Sequence, residues 1–160
     1  MARALRRKNV FTDLQATGKE DAIREIVGRL QENGELPARM AKQALDALVA
    51  REKMGSTGIG NGIAIPHVKL KGGPEDSLVA IARSSAGVDF AAIDGEKVFV
   101  LFLVVSQEER AEDHLAILKS ISALVRDGYR HRLLLGSRTP EDFIDLFKDP
   151  PEAGPGPGMG

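Results

Sequence analysis

The chain has 160 residues, 42% of them apolar and 28% charged, with 22 Lys and Arg against 23 Asp and Glu. That is the size and balance of one globular domain, and a formal net charge of −1 argues against a protein whose main business is phosphate-backbone binding. The lack of cysteine excludes disulfides, thiolate metal sites, iron–sulfur clusters and a Cys nucleophile. The longest apolar run, Val98 to Val105, falls far short of the roughly 20 residues that span a bilayer. Asn9, Thr12 and Asp13 interrupt the basic start before an apolar stretch builds, so no signal peptide is expected and the expected compartment is the cytoplasm.

Residues 1–9 read as an N-terminal arm, and Val10, Phe11 and Leu14 as a short strand. Thr17 and Glu20 have capping-box spacing ahead of an apolar stripe of Ala22, Ile23, Ile26, Val27 and Leu30, which predicts a helix stopped by Asn33-Gly34. Pro37 opens a second helix with the stripe Met40, Ala41, Ala44, Leu45 and Leu48, ending near Glu52. After a glycine-rich stretch, Ile63-Ala64-Ile65 and Leu78 to Ala82 read as strands. Val98 to Val105, apolar on both faces, reads as a central strand covered from both sides. A third long helix is predicted over His114 to Val125, with Leu115, Leu118, Ile121, Leu124 and Val125 at helical spacing. Leu133 to Leu135 reads as a short strand, and Thr139-Pro140-Glu141-Asp142 opens a last helix carrying Phe143, Ile144, Leu146 and Phe147. Residues 149–160, mostly Pro and Gly, read as a disordered tail. Mixed elements around a doubly buried strand predict an α/β fold with helices on both faces of a sheet.

The chemistry concentrates between Arg51 and His67. Gly55, Gly58, Gly60 and Gly62 can turn successive N–H groups inward to hold an anion, with Ser56, Thr57 and Asn61 as neutral donors; the same glycines are equally a plain turn. Two nucleotide motifs fail: Gly60 is followed by Asn61-Gly62 rather than Lys-Ser/Thr, and Ile63 stands where a dinucleotide fingerprint needs glycine. His67 follows a short strand and Pro66, whose ring restricts Ile65 to an extended conformation. A neutral imidazole, ordinarily titrating near 6.5, can act there as a phosphoryl acceptor; a hydrogen-bonded structural histidine is the plainer alternative. His114 shares a helix face with Leu118, Ile121 and Val125, so its ring is expected to point inward, close to a helix start that favours anions. Arg51 can either give two parallel bonds to phosphate or bind the last carbonyls of its helix. His131 is assigned a surface role. Glu108, Glu109, Glu112 and Asp113 read as a solvated helix entry, and no metal site is expected.

The stretch Ser-Thr-Gly-Ile-Gly-Asn-Gly-Ile-Ala-Ile-Pro-His resembles the active-site signature of the enzyme IIA proteins of the phosphoenolpyruvate-dependent phosphotransferase system, in the fructose/mannitol class that includes the nitrogen-regulatory branch. Its positions here are Glu52, Ile59, Gly60, Ile63, Ala64, Ile65, Pro66 and His67, and the resemblance in element order runs over 10–148. Val68 departs from the small residue usual after the histidine. The resemblance implies a single three-layer α/β/α sandwich with a mixed central sheet. It implies that His67 is phosphorylated by a histidine-containing phosphocarrier protein, with His114 and Arg51 at the phosphoryl group and Ser56, Thr57, Gly58, Gly60 and Asn61 as phosphate donors. It implies a IIB domain or a regulated protein as acceptor, and no cofactor, nucleic acid or membrane insertion. A non-catalytic protein-binding module of the same fold is the alternative; His67, His114 and Arg51 occurring together argue against it.

Overall fold

The computed structural model describes residues 4–148. The tail expected at 149–160 lies outside the described residues. Six strands form one mixed sheet: β1 (Leu5–Phe11), β2 (Gly58–Gly60), β3 (Ile63–Ala64), β4 (His67–Leu70), β5 (Leu78–Val88) and β6 (Val98–Gln107). Five α-helices accompany them among the described residues: α1 (Lys19–Glu32), α2 (Ala38–Lys53), α3 (Ala111–Arg126), α4 (Gly128–Gly136) and α5 (Pro140–Lys148). The strand order is β1-β5-β6-β3-β2, with β4 also on β6.

β6 is the axis of the sheet. It runs antiparallel to β5 and parallel to both β3 and β4. β3 pairs with Val100 and Leu101, and β4 with Val104 to Gln107, so the two short strands lie end to end along one edge of β6. The break between them is Ile65-Pro66. Proline has no N–H for the ladder, but its carbonyl accepts from Val104 N at 3.0 Å, so the edge stays pinned through the break. His67 is the first residue after it.

The alternation along β6 builds two cores, one on each side. Leu101, Leu103 and Val105 pack with the α1 and α2 stripes, whereas Val100, Phe102 and Val104 pack with Ile117, Ile121 and Leu124 of α3, Leu134 of α4 and Phe143 of α5. This is a three-layer α/β/α sandwich. Truncating a central side chain such as Leu101 to Ala costs about 2–5 kcal/mol.

Several expectations are adjusted. The arm expected at 1–9 joins the sheet from Leu5 onward, because β1 pairs parallel to β5 at Leu5↔Val79 and Val10↔Ile81. Thr17 does not cap α1: Gly18 is the cap, its carbonyl accepts from Ala22 N, and the Thr17 carbonyl is drawn instead to Asp89 N at 2.9 Å. Leu133 to Leu135 is no strand but the end of α4, whose start is fixed by the Asp127 carboxylate accepting from Tyr129 N and Arg130 N. Three apolar residues carry no period of their own, and the cap decides the outcome. Leu115, expected on the apolar stripe of α3, is 52% exposed, while Ile117 takes the buried position.

Candidate functional site

The end of β4 nearest the break and the first turn of α3 meet over β6. His67 is half-buried, and its Nδ1 lies 2.7 Å from the Ile65 carbonyl oxygen two residues back. A carbonyl only accepts, so Nδ1 carries a proton, and in the neutral form of the ring Nε2 is the nitrogen that keeps its lone pair. His114 is 5% exposed, with its ring centroid 5.6 Å from that of His67 and the planes tilted by 46°. Its Nδ1 is 2.8 Å from Ser106 Oγ on β6. Burial pushes the His114 pKa down to about 4, helped by His67 and Lys69, so its ring is neutral near pH 7. The two imidazoles therefore form a pair in which one nitrogen is nucleophilic and the neighbouring ring is uncharged.

Arg51, in the last turn of α2, donates to the Gly55 carbonyl at 2.8 Å. That is the helix-end role, and it closes the turn that begins the glycine stretch.

The glycine stretch is a tight antiparallel pair, β2 on β3, and its polar groups are committed within the chain. Ser56 Oγ donates to the Phe90 carbonyl at 2.7 Å and accepts from Gly58 N at 2.9 Å. Thr57 N donates to Glu52 Oε1 at 3.1 Å, and Thr57 Oγ1 bonds to Glu52 Oε2. Asn61 N donates to Asp94 Oδ2 at 2.9 Å. The N–H groups of Thr57, Gly58 and Asn61 thus face protein acceptors, not an open anion cradle. Gly60 and Asn61 have φ of +95° and +57°, the left-handed conformations that let the chain reverse between β2 and β3. Gly58 is needed for a different reason: a Cβ there would stand 2.8 Å from Ala92 Cβ.

Glu52 reads in the sequence as a signature position without a role, and the contributions of His131 and Ser106 are not legible there. Glu52, only 6% exposed, is held by Thr57 and by Lys19 Nζ at 3.4 Å. The Thr57 carbonyl then accepts from Ile65 N at 3.0 Å, which sets the carbonyl that orients His67. His131, assigned a plain surface role, donates from Nε2 to the Asn61 carbonyl at 2.8 Å and ties α4 to the β2–β3 turn. Ser106 stands immediately after the apolar run Val98 to Val105. Glu108, Glu109, Glu112 and Asp113 are exposed at the entry to α3.

Residues 3–149 match the family model described as phosphoenolpyruvate-dependent sugar phosphotransferase system, EIIA 2. The chain belongs to that family. It is 46% identical over 100 residues to a nitrogen regulatory protein of Pseudomonas aeruginosa, a match covering 62% of this chain and 64% of that protein, so less than two thirds of the relative's length is spanned. It is 32% identical over 142 residues to a nitrogen regulatory protein of Bradyrhizobium diazoefficiens, covering 89% of this chain and 90% of that one. Among solved structures, the nitrogen regulatory protein IIA-Ntr of Neisseria meningitidis superposes with a TM-score of 0.81 at 25% identity, covering 92% of this chain and 98% of that chain. The mannitol enzyme IIA of Escherichia coli, solved in complex with phosphorylated mannitol enzyme IIB, shares the fold with a TM-score of 0.73 at 21% identity, over 89% of this chain and 96% of that chain. The EIIA family is thereby a phosphotransfer family with both sugar-system and nitrogen-regulatory members, and both His67 and His114 lie inside the matched span. Among the described residues of this EIIA chain, no helix is long and apolar enough to cross a membrane.

Proposed function

We propose that this EIIA protein is a phosphocarrier that takes a phosphoryl group on His67 from a histidine-containing phosphocarrier protein. The observation that carries the reading is the Nδ1–H of His67 tied to the Ile65 carbonyl, which leaves Nε2 unprotonated beside the neutral ring of His114. The Nε2 lone pair attacks phosphorus in line. The N–P bond of the donor breaks as the new one forms, and its electron pair returns to the donor imidazole. The His67 ring then carries positive charge, shared with the Ile65 carbonyl through the retained Nδ1–H. That charge keeps the ring a good leaving group and the step reversible. One N–P bond replaces another, so positioning and charge stabilisation are what the protein contributes.

The incoming dianion needs donors. Nε2–H of His114 is one. The Arg51 guanidinium, bound at its helix end to the Gly55 carbonyl, has further N–H groups to give. Ser56, Thr57, Gly58, Gly60 and Asn61 then act by shaping the β2–β3 pair that leads to His67 rather than by binding phosphate with their engaged groups. His67 passes the phosphoryl group to a IIB domain or, as the nitrogen-regulatory relatives suggest, uses it to select a protein partner in the cytoplasm. No metal or cofactor is required for the step.

The test is incubation with phosphoenolpyruvate, enzyme I and the carrier protein. An acid-labile, base-stable mass gain on the peptide holding His67, absent in His67→Ala, is the expected result. Equal labelling of the variant overturns the assignment.

A further inference from the structure

The hydroxyl of Ser106 is 0% exposed and sits between two partners: Nδ1 of His114 at 2.8 Å and Oγ of Ser77 at 2.9 Å. A hydroxyl has a single proton, and with the Ser106 proton used inside this trio the three groups admit two arrangements. In one, His114 Nδ1–H donates to Ser106, which donates to Ser77, and Nε2 of His114 has no proton. In the other, Ser77 donates to Ser106, which donates to the Nδ1 lone pair, and Nε2 keeps its proton. Phosphoryl oxygens accept only, so the second arrangement is the useful one.

Two further features are compatible with it. No buried side-chain nitrogen or oxygen among the described residues lacks a hydrogen-bond partner, and Ser106 is the bonded partner of His114 at Nδ1. Nε2, which makes no bond among the described residues, is therefore the ring nitrogen that reaches the surface, where water or a phosphoryl oxygen can accept from it. Ser77 lines a cavity of about 360 Å³ with Asp76, Arg110 and Asp113. Its oxygen can accept from water there while it donates inward to Ser106.

Resting on the reading of His114 as a phosphoryl-contacting group, we propose that Ser106 and Ser77 are positioning residues that fix the tautomer of His114, so that Nε2–H faces the phosphoryl group on His67. The geometry makes this a hydrogen-bonded line along the α3 face of the sheet, from the cavity beside Ser77 to the surface at His114. Ser106 pairs with Lys69 across β4 and β6, so it also lies in register with the strand that His67 begins.

Long-range proton–nitrogen correlation spectra of ring-labelled, unphosphorylated protein near pH 7 test it. The expected spectrum shows His114 with Nε2 protonated and Nδ1 as a hydrogen-bonded acceptor. In Ser106→Ala the Nδ1 resonance leaves its hydrogen-bonded position and phosphoryl uptake slows about tenfold, the worth of one hydrogen bond to a charged group. Ser77→Ala, at a half-buried position where cavity water can substitute, gives a smaller change of the same sign. A wild-type His114 protonated at Nδ1 overturns the proposal, as does a Ser106→Ala variant with an unmoved Nδ1 resonance and wild-type uptake. Failure of wild-type His67 to take label overturns the phosphocarrier reading instead, and the tautomer spectra still decide the role of Ser106.

Discussion

Nδ1 of His67 and the carbonyl oxygen of Ile65 are 2.7 Å apart, across a proline that keeps Ile65 extended. Under the proposed phosphocarrier role, this contact leaves Nε2 as the ring nitrogen that takes the phosphoryl group. Phosphorylation is expected at Nε2, and a ring-labelled phosphoprotein should show nitrogen–phosphorus coupling at Nε2. Coupling at Nδ1 would require the Ile65 contact to break and would contradict the geometry. His67→Gln, which keeps a polar side chain at a half-buried position, should remain folded by circular dichroism and take no label.

Burial of His114 links the site to acid stability. Its pKa is lowered to about 4 in the folded chain, against about 6.5 for an unfolded histidine. Below pH 6.5 the unfolded chain therefore binds the proton first, and folding loses stability as pH falls from 6.5 toward 4. The loss is expected to be roughly 1–3 kcal/mol over that window, read from urea midpoints. His114→Gln should flatten the slope there. The carboxylates of Asp13 and Glu35 are held below the ordinary range, Asp13 by its Arg29 partner and Glu35 by Lys8 and Asn9 against the opposing effect of burial. Their contribution is lost only at lower pH, so the two effects are separable. An unchanged slope in His114→Gln would show that this histidine is not the group responsible.

Much of this was legible in the residues. The stripe of α1 gave the correct burial because its period is long and unbroken, the doubly apolar run of β6 did so except at Phe99, which is 38% exposed, and Pro66-His67 marked the candidate site. What could not be read is instructive. Leu133 to Leu135 looked extended because the deciding interaction is the Asp127 cap several residues earlier. The glycines looked like an anion cradle because a sequence shows N–H groups and not their acceptors; Glu52 accepts from Thr57 N, Ser56 Oγ from Gly58 N and the remote Asp94 from Asn61 N. The contacts of Ser106 could not be read because they are made by the fold, to Ser77 at 29 residues' separation and to His114 across the turn into α3.

Glu52 is a buried carboxyl group that anchors Thr57, whose carbonyl holds Ile65 N two residues before His67. Its carboxylate takes Thr57 N, Thr57 Oγ1 and the Lys19 ammonium. Glu52→Ala leaves those donors without their acceptor and should cost about 2–4 kcal/mol in denaturant unfolding. Glu52→Gln keeps the shape, and one oxygen can still accept from Thr57, so it should cost less. Both should slow phosphoryl uptake, because the Thr57 carbonyl holds Ile65 and Ile65 orients His67. Wild-type uptake in a folded Glu52→Ala protein would show that the chain from Glu52 to the imidazole does not position it.

Two glycine substitutions should move stability in opposite directions. Gly28 lies inside α1 with nothing within 4 Å of an added Cβ, so Gly28→Ala should stabilise by about 1 kcal/mol through the lower backbone entropy of the unfolded chain. At Gly58 an added Cβ would lie 2.8 Å from Ala92 Cβ and 2.9 Å from Ala92 Cα. The obstacle includes backbone and cannot swing aside, so Gly58→Ala should destabilise by about 1–3 kcal/mol. It should also disturb the bond from Ile93 N to the Gly58 carbonyl, and with it the seat of β2 beside β3. Gly28→Ala should leave phosphoryl uptake unchanged and Gly58→Ala should lower it, measured by melting temperature and labelling rate on the same preparations. Equal uptake in the two variants would mean that the strand pair carrying Ile65 tolerates displacement without moving His67.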